Sequence, residues 1–165
     1  MIILGIDPGT TRIGYGIIKK DRALTCIESG LLGIHGDSLE EKLRSAHRAL
    51  SGIITKFSPE LAALETIYFG KNKKTAIDVA HARGVMVLAL SQQGIPLTEY
   101  TPQQVKQAVT GHGGSDKKAM VQVLSRLLRI DFGNEPDDVS DAVAVALTAS
   151  LDNLVLRRNS LRQRG

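Results

Sequence analysis

Five acidic side chains stand where solvation alone does not explain them. Asp7 closes the apolar run Ile2-Ile3-Leu4-Gly5-Ile6, and Glu65 closes Leu61-Ala62-Ala63-Leu64. Asp137, Asp138 and Asp141 stand at the head of the segment Ala142-Val143-Ala144-Val145-Ala146-Leu147, which is apolar all round and so reads as a buried helix. Residues three or four apart share a helix face, so either Asp137 or Asp138 can converge with Asp141. Carboxylates gathered at the rim of a core repel one another and raise each other's pKa unless cations neutralise them. The chain has one cysteine and four scattered histidines, so any metal here would be held by oxygen, which suits Mg²⁺ or Mn²⁺. A pair of such ions about 3.5 to 4 Å apart can stabilise the attacking and leaving oxygens of a phosphodiester displacement. Each acid taken singly also has a plainer explanation. Acids in a first helical turn complement the helix dipole, and an Asp before Pro-Gly is a common turn former. Glu65 has no such local task, and it is the joint pattern that points to chemistry.

The elements that must position these acids follow from the pattern of apolar residues. Ile2 to Ile6 reads as a buried strand ended by the turn at Pro8-Gly9, and Ile13 to Lys19 and Leu24 to Ile34 continue as two more strands joined at Lys20-Asp21-Arg22. Three consecutive antiparallel strands are expected. Ser38 with Glu41 forms a capping box, and Leu39, Leu43, Ala46, Leu50, Ile53, Ile54 and Phe57 recur at helical spacing. Leu61 to Leu64 is a strand covered on both faces. Thr75 to Gln93 reads as a helix with a small-residue stripe at Ala76, Ala80, Gly84 and Val87, and Leu97 to Tyr100 as a last strand. Thr101-Pro102-x-Gln104 opens another helix, Gly111 to Gly114 is expected to be a flexible loop, and Ser115 to Ile130 is an amphipathic helix with Val121, Leu124, Leu127 and Leu128 inside. The final helix starts at Asn134-Glu135-Pro136 and runs to about Leu151. This order predicts an α/β fold, a mixed five-stranded sheet flanked by helices on both faces.

A length of 165 residues and 42 % hydrophobic content suit one globular domain, expected over residues 1 to 156, with a basic, disordered tail over 157 to 165. No apolar run approaches a membrane span and no signal peptide is visible, so a cytoplasmic address is expected. The formal charge is +4, yet residues 1 to 152 carry 17 basic and 17 acidic side chains. The excess belongs to Arg157, Arg158, Arg162 and Arg164, so a nucleic acid would have to be bound by local clusters.

Five segments, in order and over nearly the whole chain, resemble the RuvC Holliday-junction resolvases: Ile3-Leu4-Gly5-Ile6-Asp7-Pro8-Gly9, Leu64-Glu65-x-x-Tyr68, His81-Ala82-Arg83-Gly84-Val85, Gln104-Val105-Lys106-Gln107 and Asp138-x-x-Asp141-Ala142-x-Ala144. The resemblance implies a ribonuclease H-like fold, a homodimer, and metal-dependent paired nicks on two symmetry-related strands of four-way junction DNA. It implies RuvA and RuvB, the branch-migration proteins, as partners. It puts Asp7, Glu65, Asp138 and Asp141 in the four acidic positions, choosing Asp138 over Asp137. Two Mg²⁺ ions, with Mn²⁺ as a substitute, would be held there and leave 5′-phosphate ends.

Basic and aromatic residues supply the expected DNA contacts. Tyr68-Phe69-Gly70-Lys71-Asn72-Lys73-Lys74 follows Glu65, and an aromatic there can stack on an unpaired base while Lys71, Lys73 and Lys74 meet phosphates. Tyr68 falls at the family's base-contacting aromatic, whereas Phe69 is equally suited to the core. Lys106 and Lys117 fall at its functional lysines, Lys118 adjoins them, and Arg12 and His112 are further candidates. The Gly5 to Thr11 segment also resembles the first phosphate loop of actin-like ATPases, but those need two such domains. The acidic pattern also admits an RNA-processing nuclease of the same fold class, and the basic clusters a non-catalytic junction-binding module.

Overall fold

The computed structural model describes residues 1–9, 11–66 and 73–152. Apolar runs with β-branched residues form five strands: β1 (Ile2–Asp7), β2 (Gly14–Lys20), β3 (Leu24–Leu31), β4 (Leu61–Glu65) and β5 (Leu97–Tyr100). Five helices accompany them: α1 (Leu39–Phe57), α2 (Lys73–Gln92), α3 (Pro102–Thr110), α4 (Lys117–Leu128) and α5 (Asp137–Leu151). The strands form one sheet in the order β3-β2-β1-β4-β5. β1, β2 and β3 pair antiparallel, while β4 lies parallel to β1 and β5 parallel to β4. The mixed five-stranded sheet expected from the sequence is therefore present. Its parallel half follows from the helical crossovers that return the chain to the same end of the sheet.

Both faces are covered. One carries a core of Leu4, Ile6, Ile17, Leu50, Ile54, Leu64, Met86 and Leu90 under α1 and α2, and the other packs Ile3, Leu61, Val105, Leu124, Leu128 and Val143 under α3, α4 and α5. In α5 every residue from Val139 to Ser150 except Asp141 is buried. Glycine makes this possible. A Cβ on Gly5 would collide with the Ala142 carbonyl oxygen, and one on Gly14 with the Asp138 carbonyl oxygen, so the two strands admit the backbone of α5 directly. Any side chain at either position would push the acids of α5 away from Asp7.

Several boundaries and faces differ from the sequence reading. β3 ends at Leu31 rather than Ile34, because beyond the Leu32 N–H bond to the Ile13 carbonyl the chain leaves the sheet for α1. α2 begins at Lys73. α4 starts after Asp116, whose side chain accepts from the Ala119 N–H, and ends before Arg129, which takes a left-handed conformation. Leu127 is 49 % exposed, since the buried stripe of α4 runs through Met120, Leu124 and Leu128. The Gly111 to Gly114 loop is hydrogen-bonded rather than loose. The Gly113 N–H donates to Gln107 Oε1 at 3.0 Å, and Thr110 Oγ1 and Ser115 Oγ are 2.7 Å apart across the loop. On α2, Val87 packs towards the core, while Ile77, Ala80, His81, Gly84 and Leu88 form the exposed face. The domain boundary at 156 and the basic tail lie outside the described residues. Among the described residues no helix is long and apolar enough to cross a membrane.

Candidate active site

The parallel pairing of β1 and β4 decides the geometry. Ile6 pairs with Leu64, so Asp7 and Glu65 leave adjacent strands at the same end of the sheet, one residue beyond that pair. The close approach of α5 at Gly5 and Gly14 brings the first turns of α5 to this end. Asp138 and Asp141 are there 23 % and 24 % exposed, whereas Asp137 is 76 % exposed and faces outward. Of the two acids between which helical spacing leaves the choice open, Asp138 is the more buried.

The four acids act on one another. Burial, then repulsion from Asp141, Glu65 and Asp138, pushes the Asp7 carboxyl up to about 7, with Lys117 opposing. Burial and Asp141 raise Glu65, while Lys117 and Lys106 pull it down. Burial raises Asp141 as well, offset by its hydrogen bond from Lys117. These shifts are the expected cost of carboxylates held at a core rim without enough positive charge.

Two cations enter the cluster. Lys117 Nζ lies 2.7 Å from Asp141 Oδ2 and 3.1 Å from Asp137 Oδ2, and Arg12 Nε lies 3.6 Å from Asp138 Oδ2. Burial works against the charge on Lys117, but its hydrogen bonds to Asp141 and Asp137 outweigh this and raise its pKa. A cleft of about 200 Å³ beside them is lined by Glu65, Pro102, Val105, Lys106, Lys117 and Asp141, among others. The sequence-derived lysines Lys106 and Lys117 therefore border the acids, while Lys118 is exposed on α4. His112 lies exposed in the α3–α4 loop and its Nδ1 accepts from the Gly114 N–H. Tyr68, Phe69 and Lys71 lie outside the described residues. Lys73 and Lys74 open α2, and their side chains are not described.

The donor set fits a hard divalent cation: carboxylate oxygens only, partly desolvated, with Asp7 held at a raised pKa that an added positive charge would relieve. As the side chains stand, no three acidic, histidine or cysteine side chains among the described residues enclose an ion. The ammonium of Lys117 supplies positive charge to the cluster in this arrangement. Sequence reasoning makes Lys117 a phosphate contact and misses this ion pair. It likewise misses the pairing of Arg83 on α2 with Glu99 on β5, which ties α2 to the outer strand of the parallel half. The run His81 to Val85 signals a motif without naming the partner of its arginine.

An acidic cluster at the carboxyl ends of adjacent parallel strands, on a sheet of this order, defines a nuclease of ribonuclease H-like architecture. The family described as "Crossover junction endodeoxyribonuclease RuvC" matches residues 3–149. The chain is 42 % identical over 157 residues to the RuvC of Roseiflexus sp. strain RS-1, covering 94 % of each chain. It is 41 % identical over 152 residues to the RuvC of Natranaerobius thermophilus, covering 91 % of this chain and 94 % of that one. Among solved structures, Thermus thermophilus RuvC in complex with a Holliday junction substrate superposes with a TM-score of 0.86 at 28 % identity, covering 95 % of this chain and 96 % of that one. The chain belongs to the RuvC family of crossover junction endodeoxyribonucleases.

Proposed function

We propose that this enzyme resolves four-way DNA junctions, in homologous recombination and DNA repair, by paired symmetric nicks that leave 5′-phosphate ends. The observation that carries the reading is the gathering of Asp7 and Glu65, at the ends of adjacent parallel strands, with Asp138 and Asp141 on the first turns of the helix pressed against Gly5 and Gly14. In this reading those four residues hold two Mg²⁺ ions, for which Mn²⁺ substitutes. The bound ions supply the charge that lowers the pKa of water and stabilises the leaving 3′-oxygen. Lys106 and Lys117, at the border of the same cleft, hold the phosphates flanking the scissile bond. Arg12 steadies Asp138. Tyr68 stacks on a base at the branch point, with Lys71, Lys73, Lys74 and Lys118 as further backbone contacts.

Two nicks on symmetry-related strands require two sites, which an isologous dimer provides. The exposed face of α2 supports this, because Ile77 and Leu88 there are 57 % and 51 % exposed around the small residues Ala80 and Gly84. RuvA and RuvB are the partners that the family membership suggests, and the cytoplasm is the place of action that this reading assigns. The deciding experiment compares cleavage of an immobile four-way junction and a matched linear duplex, with Mg²⁺ or with chelator. Metal-dependent cutting of the junction alone is expected. Equal cutting of both, or none with metal, overturns the proposal.

A further inference from the structure

A second feature of the same end of the sheet has no role in the acidic site. Where β3 hands over to α1, an open groove of about 680 Å³ is lined by His35, Glu41, Arg44, Ser45 and Arg48, among others. We propose that this groove binds the phosphate backbone of the DNA arm that leaves the acidic site on the β3 side, a proposal that rests on the junction reading above.

Among its lining residues two arginines stand against one acid, Glu41. Arg44 and Arg48 are four residues apart and share a face of α1. Neither guanidinium has an ion pair within the described residues. The acid among them, Glu41, feels the charge of Arg44, but its Oε2 is held by the backbone, accepting from the Asp37 N–H at 2.9 Å and from the Ser38 N–H at 3.3 Å and completing the cap of α1. Exposed arginines outside any ion pair, presented from one wall of a groove, suit bidentate recognition of phosphate.

The walls are fixed to one another. Ser45 Oγ accepts from the His35 N–H at 2.9 Å and donates to the Gly33 carbonyl at 3.4 Å, tying the β3–α1 loop to the helix that carries the arginines. A groove held from both sides loses little freedom on binding.

Position ties it to the site. Asp7 pairs with Gly14 and Gly14 with Leu31, so these three residues form one row across the sheet. Two interstrand spacings make that row about 10 Å long. The groove loop begins two residues past Leu31. Duplex DNA carries a negative charge every ~1.7 Å of its axis, so an arm that crosses this end of the sheet from Asp7 towards β3 brings several phosphates to the β3–α1 loop, beyond which α1 lies on the face opposite α5. Because residues 1 to 152 balance acid against base and the site itself is acidic, such an arm needs a separate cationic support.

The test is binding of a fluorescent four-way junction and of a linear duplex, in chelator, over a range of salt, by wild type and by Arg44→Ala/Arg48→Ala. The double variant is expected to bind the junction about tenfold more weakly, with a plot of log K against log salt flatter by about two, since each lost phosphate contact removes roughly 0.9 from the slope. Thermal melting is expected to be unchanged. Unaltered junction affinity and salt slope would overturn the groove proposal, and would be the result if the groove served an acidic protein instead. Failure of the wild type to bind the junction would instead overturn the reading on which the proposal rests.

Discussion

Lys117 Nζ lies 2.7 Å from Asp141 Oδ2 and 3.1 Å from Asp137 Oδ2, so the first residue of α4 bridges two acids on consecutive turns of α5. In metal-free protein this ammonium offsets repulsion within the cluster. Lys117→Met is expected to lower metal-free stability by about 1 kcal/mol, a modest figure because the lysine side chain is 41 % exposed and partly screened. The same variant is expected to gain more stability from Mg²⁺ than the wild type, since the ion no longer competes with a resident cation. Melting curves with chelator and with Mg²⁺ check both, and equal gains in the two proteins would rule out the competition.

The raised Asp7 carboxyl gives a signed dependence on pH. Between the ordinary value of 3.8 and about 7 the native state keeps the proton that the unfolded chain has lost. Metal-free stability contributed by this group is therefore complete below about 4 and is lost as pH rises through about 7. Wild type in chelator is expected to lose a few kcal/mol at most from this group between pH 4 and 8, as one pKa unit corresponds to about 1.4 kcal/mol. Asp7→Asn is expected to show a shallower slope and to be the more stable protein at pH 8. Denaturant titrations at several pH values measure this, and parallel profiles would contradict it.

Substituting the acids separates cutting from holding. Asp7→Asn, Glu65→Gln, Asp138→Asn and Asp141→Asn are each expected to reduce junction cleavage by at least about 100-fold, the scale of losing transition-state charge stabilisation. Junction affinity in chelator is expected to persist, because removing negative charge does not weaken a phosphate contact. A cleaving Asp7→Asn enzyme would remove Asp7 from the site.

The exposed face of α2 offers a test of assembly. Leu88→Lys or Ile77→Lys places charge on that face and is expected to shift the protein to monomer in sedimentation equilibrium. Neither is expected to lower the stability of the fold by more than about 0.5 kcal/mol, as both side chains are more than half exposed. A wild type that is already monomeric at working concentration and still cuts would end the dimer proposal.

What can be read from the residues differs by the kind of signal. β1, β4 and α5 are legible because each is a short, uninterrupted apolar segment with an acid at its end, and an acid at that position is costly unless it is used. The face of α2 is not. Apolar residues occur around most of its circumference, so spacing alone does not tell that Ala82, Met86 and Leu90 face the core while Ile77 and Leu88 face out. Helical spacing puts Leu127 in the core of α4 because periodicity gives the direction of a stripe but not its width. The Lys117–Asp141 pair joins residues 24 apart through the packing of two helices, and nothing local announces it. Arg12 is similar, since its partner Asp138 arrives only through the contact of α5 with Gly14.

The near-complete burial of α5 has a dynamic consequence. A helix enclosed by the sheet and its neighbours cannot open by fraying its middle, so its amides from Ala142 to Ala149 should exchange with solvent only when the whole domain unfolds. Asp138 and Asp141 ride on the first turns of that helix and Asp7 on the strand it presses. The acidic cluster therefore inherits the most slowly exchanging part of the molecule as its mount. Accommodation of a bent or branched substrate must then come from the DNA and from surface segments, with the acids serving as a fixed gauge against which the strand is brought to register.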